Sequence, residues 1–339
     1  MMSFGKFATY REIKSQTEAW AQALDLTRSA QLPKAENYDQ VIFTGCGSTY
    51  YLSLASAALY QELTGRVARA IPGGELLLNT KTILANQKIL LAAISRSGTT
   101  TETVKAVEKF KENKNGDVLV ISNYDEALSQ LADVNIVIPK GQEESVAQTR
   151  SFASMYIAAT GFAARMSDRN ELLDRMPSLP ETGERLIHDF EAAARQLGEN
   201  LDFDRFYFLG SGIQYGLACE VNLKMKEMTL THSEPFHFLE FRHGPMSMVN
   251  KKAVVVGLVS GSNFSHEKAV LSEMQALGGK TVALGESGVD IAFNSGIPES
   301  VRGVLYLPVV QLMAFYRSLA KGLNPDRPNN LSAVIKLDL

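Results

Sequence analysis

The chain has 339 residues and a formal net charge of -3, with 34 Lys+Arg against 37 Asp+Glu and no basic run. That length exceeds one ordinary core and predicts two domains, and the charge pattern excludes a polybasic nucleic-acid or membrane-binding surface. The start, MMSFGKFATYREIKSQ, turns polar before any useful apolar stretch, and two cysteines and five histidines show no disulfide-framework or HExxH spacing. We therefore expect no secretory signal, membrane span, metal or cofactor, a cytoplasmic protein, and Cys46 and Cys219 as small buried residues.

In chain order, an N-terminal helical segment over residues 1–30 precedes the strand-like run VIFTG from Val41, which leads into GCGST at residues 45–49. Two readings of that turn stand side by side: glycines required by a strand-to-helix bend, or a loop whose Thr49 hydroxyl meets an anion. The next run, ILLAAIS from Ile89, is apolar throughout, as suits a parallel strand covered on both faces. It stops abruptly in a loop where Ser95, Ser97, Thr99, Thr100 and Thr101 place five hydroxyls in seven positions around Gly98. Glu102 opens a predicted helix through Val104 and Phe110. An ordinary helix cap needs one hydroxyl. The surplus, beside unpaired N–H groups and the positive end of a helix, points to a phosphate monoester.

DVLVIS from Asp117 completes the first set of strands, and a polar stretch with two prolines over residues 165–184 separates it from RFYFLG at Arg205, AVVVGLVS at Ala253 and KTVALG at Lys280. Strands alternating with helical patterns predict parallel sheets built of βαβ units. Gly45 and Gly210 end the first run of each half and are 165 positions apart (210 − 45), as are Ser95 and Ser260 (260 − 95). This indicates a duplicated α/β unit. We expect one domain over residues 31–180, a second over 181–321, and a tail over 322–339. The copies differ where chemistry belongs: SRSGTT faces SGSNFS, with Asn263 in place of Gly98 and Phe264 in place of Thr99. Only the first half is expected to bind phosphate.

After Gly212 comes a predicted helix, YGLACEVNLKMKEMTL, in which Glu220, Lys224 and Glu227 share one face. Such a stripe is commonly a solvated, salt-bridged surface. Leu217, Val221 and Met228 accompany it, however, which predicts partial burial and makes a carboxylate beside a lysine a candidate general base. FHFLEFRHGP then supplies Glu240 and His243 before a Gly-Pro stop. The histidine reads either as a residue bonded to a backbone carbonyl or as a catalytic group.

Together with YREIKSQTEAW near the start, ESVAQTRSF from Glu144 and DRPNNLSAV from Asp326, these motifs resemble the double SIS (sugar isomerase) domain proteins. The nearest resemblance is to the isomerase half of glucosamine 6-phosphate synthase and to stand-alone amino-sugar-phosphate deaminase/isomerases. It implies an α/β fold of two tandem, doubly wound, flavodoxin-like parallel sheets with helices on both faces. It also implies that Ser95, the backbone of Arg96, Ser97 and Thr100 hold a sugar 6-phosphate with help from Thr49, that Val146 and Gln148 line the sugar, and that Ser332 binds substrate from the tail. Glu227 would shuttle a proton between C1 and C2, Lys224 would assist, and His243 would open the sugar ring from the neighbouring subunit of a homodimer. The tail departs from the synthase pattern, with Ala333 where the resemblance implies a Schiff-base lysine and Asn329 in place of an arginine; Lys336 is a substitute to be considered.

The implied reaction converts glucosamine 6-phosphate to fructose 6-phosphate and ammonia. The alternatives are a deglycase, a ketose/aldose isomerase acting on a related 6-phosphate, an aminotransferase-type isomerase subunit, or a non-catalytic sugar-phosphate sensor. A chain starting Met1, Met2, Ser3 shows no N-terminal cysteine of a glutaminase, so glutamine-dependent synthesis is not expected.

Overall fold

The three apolar runs of the first half become the middle of a five-stranded parallel sheet in a computed structural model, which describes residues 4–114, 116–335 and 337. The strands are β1 (Gln40–Gly45), β2 (Ala68–Pro72), β3 (Ile89–Ser95), β4 (Gly116–Ser122) and β5 (Val134–Val137), in the order β2-β1-β3-β4-β5. Every residue of β3 is buried, as its unbroken apolar sequence requires of a strand covered on both faces. The second half repeats the arrangement with β6 (Arg205–Leu209), β7 (His232–Phe236), β8 (Ala253–Leu258), β9 (Lys280–Gly285) and β10 (Ile291–Ala292), ordered β10-β9-β8-β6-β7. Read from the other edge, this is the same order. The four strands without an apolar run, β2, β5, β7 and β10, are the sheet edges.

The helices are α1 (Ala8–Lys14), α2 (Gln16–Ser29), α3 (Ser48–Thr64), α4 (Gly73–Leu78), α5 (Thr80–Ile83), α6 (Thr101–Glu112), α7 (Arg150–Met166) and α8 (Asn170–Leu173), followed by α9 (Leu179–Asp189), α10 (Glu191–Glu199), α11 (Ile213–Thr229), α12 (Phe264–Ala276) and α13 (Pro308–Ala320). The duplication extends to the backbone. Gly47 (φ 58°, ψ -123°) precedes the 17-residue α3, and Gly212 (φ 56°, ψ -125°), 165 positions later, precedes the 17-residue α11. A side chain is strained at those angles, so each turn demands glycine.

The chain divides into two units, and their boundaries are not linear. The first comprises Ser15–Glu143, Arg150–Pro177 and Ser332–Leu339; the second comprises Met1–Lys14, Glu144–Thr149 and Ser178–Leu331. The expected N-terminal segment is therefore split: α2 packs in the first unit, while α1 belongs to the second. The reason is a remote cap. The Asp326 carboxylate accepts the N–H groups of Ala8 (3.0 Å) and Thr9 (2.8 Å) and the Thr9 hydroxyl (2.8 Å), so the open end of α1 is satisfied from the far end of the chain. The tail is likewise split at Ser332. Within the second unit, residues 303–320 form a segment apolar enough by length and composition to cross a membrane, yet 89% of it is buried as core.

Candidate active site

In the first unit, β3 ends at Ser95 and α6 begins at Thr101, and the loop between them is organised by its own hydroxyls. Ser95 Oγ accepts the Gly98 N–H (3.2 Å), and Ser97 Oγ accepts the Thr99 N–H and hydroxyl (both 3.1 Å). Gly98 has φ +68°, and a Cβ there would lie 3.1 Å from Glu126 Cβ and 3.2 Å from the Tyr124 carbonyl oxygen, so this turn also requires glycine. Thr100 is the N-cap residue of α6 but makes no side-chain cap bond. Its hydroxyl lies 3.5 Å from Ser95 Oγ. The Ser97 N–H meets no acceptor among the described residues. Main-chain donors and hydroxyls at a helix start are groups that can receive an anion.

Three further residues expected to bind substrate, Thr49, Arg96 and Ser332, make contacts within the chain. Thr49 is buried, and its hydroxyl donates to the Cys46 carbonyl (3.0 Å) while accepting the Cys46 N–H (2.9 Å). In this arrangement its only proton closes the β1–α3 turn, the structural alternative left open for GCGST. The side chain of Arg96 is buried: Nη2 donates to the Ala333 carbonyl (2.8 Å), and Nη1 lies 3.7 Å from the buried Glu143 carboxylate. Ser332 Oγ donates to the Val334 carbonyl (3.0 Å), bracing the tail. Lys336 lies outside the described residues. Cys46 is half-buried rather than fully buried, whereas Cys219 is buried and its thiol is pushed up to about 12 by burial.

The second unit carries the charged stripe. On α11, Glu220 and Lys224 are each 1% exposed and Glu227 is 14% exposed, so the stripe is buried rather than solvated. Lys224 Nζ lies 3.3 Å from Glu220 Oε1 and hydrogen-bonds to Glu227 Oε1. Burial alone would depress the ammonium, but Glu220 and then Glu227 outweigh it and hold Lys224 above its ordinary value. Lys224 is thus an ammonium at neutral pH and Glu227 its more exposed partner, an arrangement suited to passing a proton between neighbouring atoms. The resemblance gave Glu220 no role; its i, i+4 spacing to Lys224 is the signal that locates it.

Val146 and Gln148 sit on the short segment Glu144–Thr149, which belongs to the same unit. Buried Glu12 on α1 holds it, accepting the N–H groups of Glu144 (2.6 Å) and Ser145 (3.2 Å) and the Ser145 hydroxyl (2.5 Å). The Val146 N–H donates to the Asp326 carbonyl (3.0 Å). Gln148 Oε1 is buried with no hydrogen-bond donor among the described residues. No local signal reveals Glu12, because its partners lie more than a hundred positions away. His243 is exposed, and its imidazole has no hydrogen-bond partner among the described residues; it is neither bonded to a backbone carbonyl nor part of the Lys224 group. No cluster of three metal-binding side chains occurs among the described residues.

The loop at Ser260, counterpart of the anion loop, is occupied by its own chain. Ser260 Oγ accepts the Asn263 N–H (3.0 Å), the same turn that Ser95 makes with Gly98. The N–H groups of Gly261 and Ser262 donate to the two oxygens of Glu299 (3.0 and 3.2 Å).

Comparison with known proteins agrees with the duplicated architecture. A glutamine–fructose-6-phosphate aminotransferase of Pyrococcus horikoshii is 29% identical over 319 residues, which are 89% of this chain and 52% of that protein. Its counterpart from Sulfolobus acidocaldarius is 29% identical over 336 residues, 97% of this chain and 55% of that protein. The chain therefore spans about half the length of these curated relatives. Among solved structures, a glucosamine-6-phosphate deaminase from Thermotoga maritima superposes with a TM-score of 0.81 at 26% identity, covering 97% of this chain and all of that one (100%). A tagatose-6-phosphate ketose/aldose isomerase from Escherichia coli shares the fold, with a TM-score of 0.84 at 22% identity, covering 98% of this chain and 97% of that one. The SIS domain model matches residues 36–165 and 202–295, one segment on each parallel sheet, and the chain belongs to the SIS domain family.

Proposed function

We propose that this chain is a phosphosugar isomerase acting on an amino-sugar 6-phosphate, and that it converts glucosamine 6-phosphate to fructose 6-phosphate and ammonia. The buried Glu220–Lys224–Glu227 group is the observation that carries this reading. Burying three charges is costly, and a module that only senses a sugar phosphate has no need of them. The loop from Ser95 to Thr100 takes the phosphate on main-chain N–H groups and hydroxyls. Once the ring is open, Glu227 removes the C2 proton and returns it to C1. O1 takes up a proton and the amine gives one up in the same conversion, so the 2-amino aldose becomes the C2 imine of the ketose, which water hydrolyses to the ketose and ammonia. The Lys224 ammonium stabilises negative charge that develops on the oxygen as the proton leaves C2. Gln148 Oε1 accepts from a sugar hydroxyl or the amine, and Val146 lines the sugar.

Ring opening falls to His243, delivered from the second chain of a homodimer; its exposure and the lack of a partner for its imidazole among the described residues support that part of the reading. Arg96 enters through its backbone, because its side chain is held by Ala333 and Glu143. The test is a panel of hexose and hexosamine 6-phosphates scored for ammonia release and for aldose–ketose conversion. Turnover of glucosamine 6-phosphate with ammonia release is expected. Conversion without ammonia release would move the assignment to a simple isomerase, and binding without turnover across the panel would leave a sensor.

A further inference from the structure

The Ser260 loop differs from its counterpart at Ser95 in sequence, yet both keep the turn in which a serine hydroxyl accepts the N–H three residues on. In the second copy, Gly261 and Ser262 hold successive N–H groups at distances of 3.0 and 3.2 Å from Glu299 Oε1 and Oε2. Gln214 Nε2, at the position 165 beyond Thr49, lies 3.3 Å from the same Oε1. A carboxylate gripped by adjacent main-chain donors ahead of a 13-residue helix imitates two oxygens of a phosphate. A buried cation borders it. Arg302 is 7% exposed, its Nε has no hydrogen-bond partner, and its Nη2 lies 3.6 Å from where a Gly261 side chain would begin. A cavity of about 420 Å³ reaches the loop at Gly261 and Phe264.

We propose that the second half retains a phosphate-type anion site, closed by Glu299 as an internal counter-ion. One anion per chain is then a consequence of Glu299, not of the substitutions at Asn263 and Phe264. The neighbouring carboxylates do not forbid an external anion. Glu267 accepts the Ser260 N–H (2.6 Å) and hydroxyl (3.0 Å), and its counterpart 165 positions earlier, Glu102, occupies the first turn of α6 beside the first loop. Glu286 is engaged by the Ser295 hydroxyl (2.8 Å) and the Gly296 N–H (2.7 Å), and lies 3.6 Å from Arg302.

Crystals of the full chain and of E299A, soaked in selenate and read by anomalous scattering, test this. The wild-type chain should hold selenate at the Ser95 loop only, and E299A should hold a second one on Gly261 N and Ser262 N, doubling the bound anion per chain. An E299A crystal without that second peak overturns the proposal, as does a wild-type crystal in which selenate displaces Glu299. A second peak with an empty Ser95 loop would sustain the proposal while removing the phosphate role of the first loop, so the two assignments fail separately. If E299A does not fold, E299S takes its place with the same outcomes.

Discussion

Lys224 ties stability to chemistry at a single residue. Replacing it by methionine leaves Glu220 and Glu227 buried without their cation, and removing one partner of a buried ionic group costs about 3–5 kcal/mol. Lys224→Met should lower the urea midpoint accordingly. Its ammonium is held above the ordinary 10.5, so its contribution is complete below about that pH and is lost as pH rises through the folded value. Wild-type stability should therefore show a Lys224-dependent fall only in the alkaline range, and K224M should lack it. At the anion loop, Ser97→Ala with Thr100→Ala should raise KM about tenfold or more while kcat stays within about threefold, because anchoring binds ground and transition states alike. A kcat loss of the same size as the KM rise would remove the anchoring role. Lys224 and Glu227 were legible as a pair because helical spacing is local. Glu12, Glu143 and Glu299 were not, because each acts on residues brought close only by tertiary folding.

Between elements, the duplication makes a sharp contrast possible. Gly47→Ala and Gly212→Ala meet no neighbouring atoms, so any cost is backbone strain at φ near +57° (58° and 56°), about 1–3 kcal/mol each. Gly74, inside α4, also faces open space but without a positive φ, and Gly74→Ala should be neutral or stabilise by up to about 1 kcal/mol. Denaturant midpoints of the three variants separate strain from packing. The six central strands were legible because burial on both faces demands apolar runs. The edges β2 (ARAIP) and β7 (HSEPF) are mostly half-exposed and mix charges with proline, so no run marks them. The start of α1 was hidden for another reason: its cap, Asp326, is 318 positions from Ala8.

Across the whole molecule, two units of interleaved sequence carry separate halves of the proposed machinery, with anion-loop residues in the first and Lys224, Glu227 and His243 in the second. The proposed delivery of His243 by a second chain predicts complementation. Mixing inactive E227Q with inactive H243A, under conditions where subunits exchange, should restore about one quarter of wild-type activity, since half the dimers then hold one intact site. No recovery after verified exchange would place His243 in the site of its own chain. Whole-chain organisation was legible through the repeat at 165, while the exchange of terminal segments between units was not, because it rests on caps and tail contacts rather than on composition. The central claim is that Glu227 moves the proton. Its most direct test is to follow glucosamine 6-phosphate in D₂O by NMR with wild type and E227Q. Wild type should release ammonia and form fructose 6-phosphate carrying transferred proton or solvent deuterium at C1. E227Q should bind the sugar phosphate yet turn over at least about 100-fold more slowly; wild-type turnover by E227Q, with the same label at C1, would contradict the account.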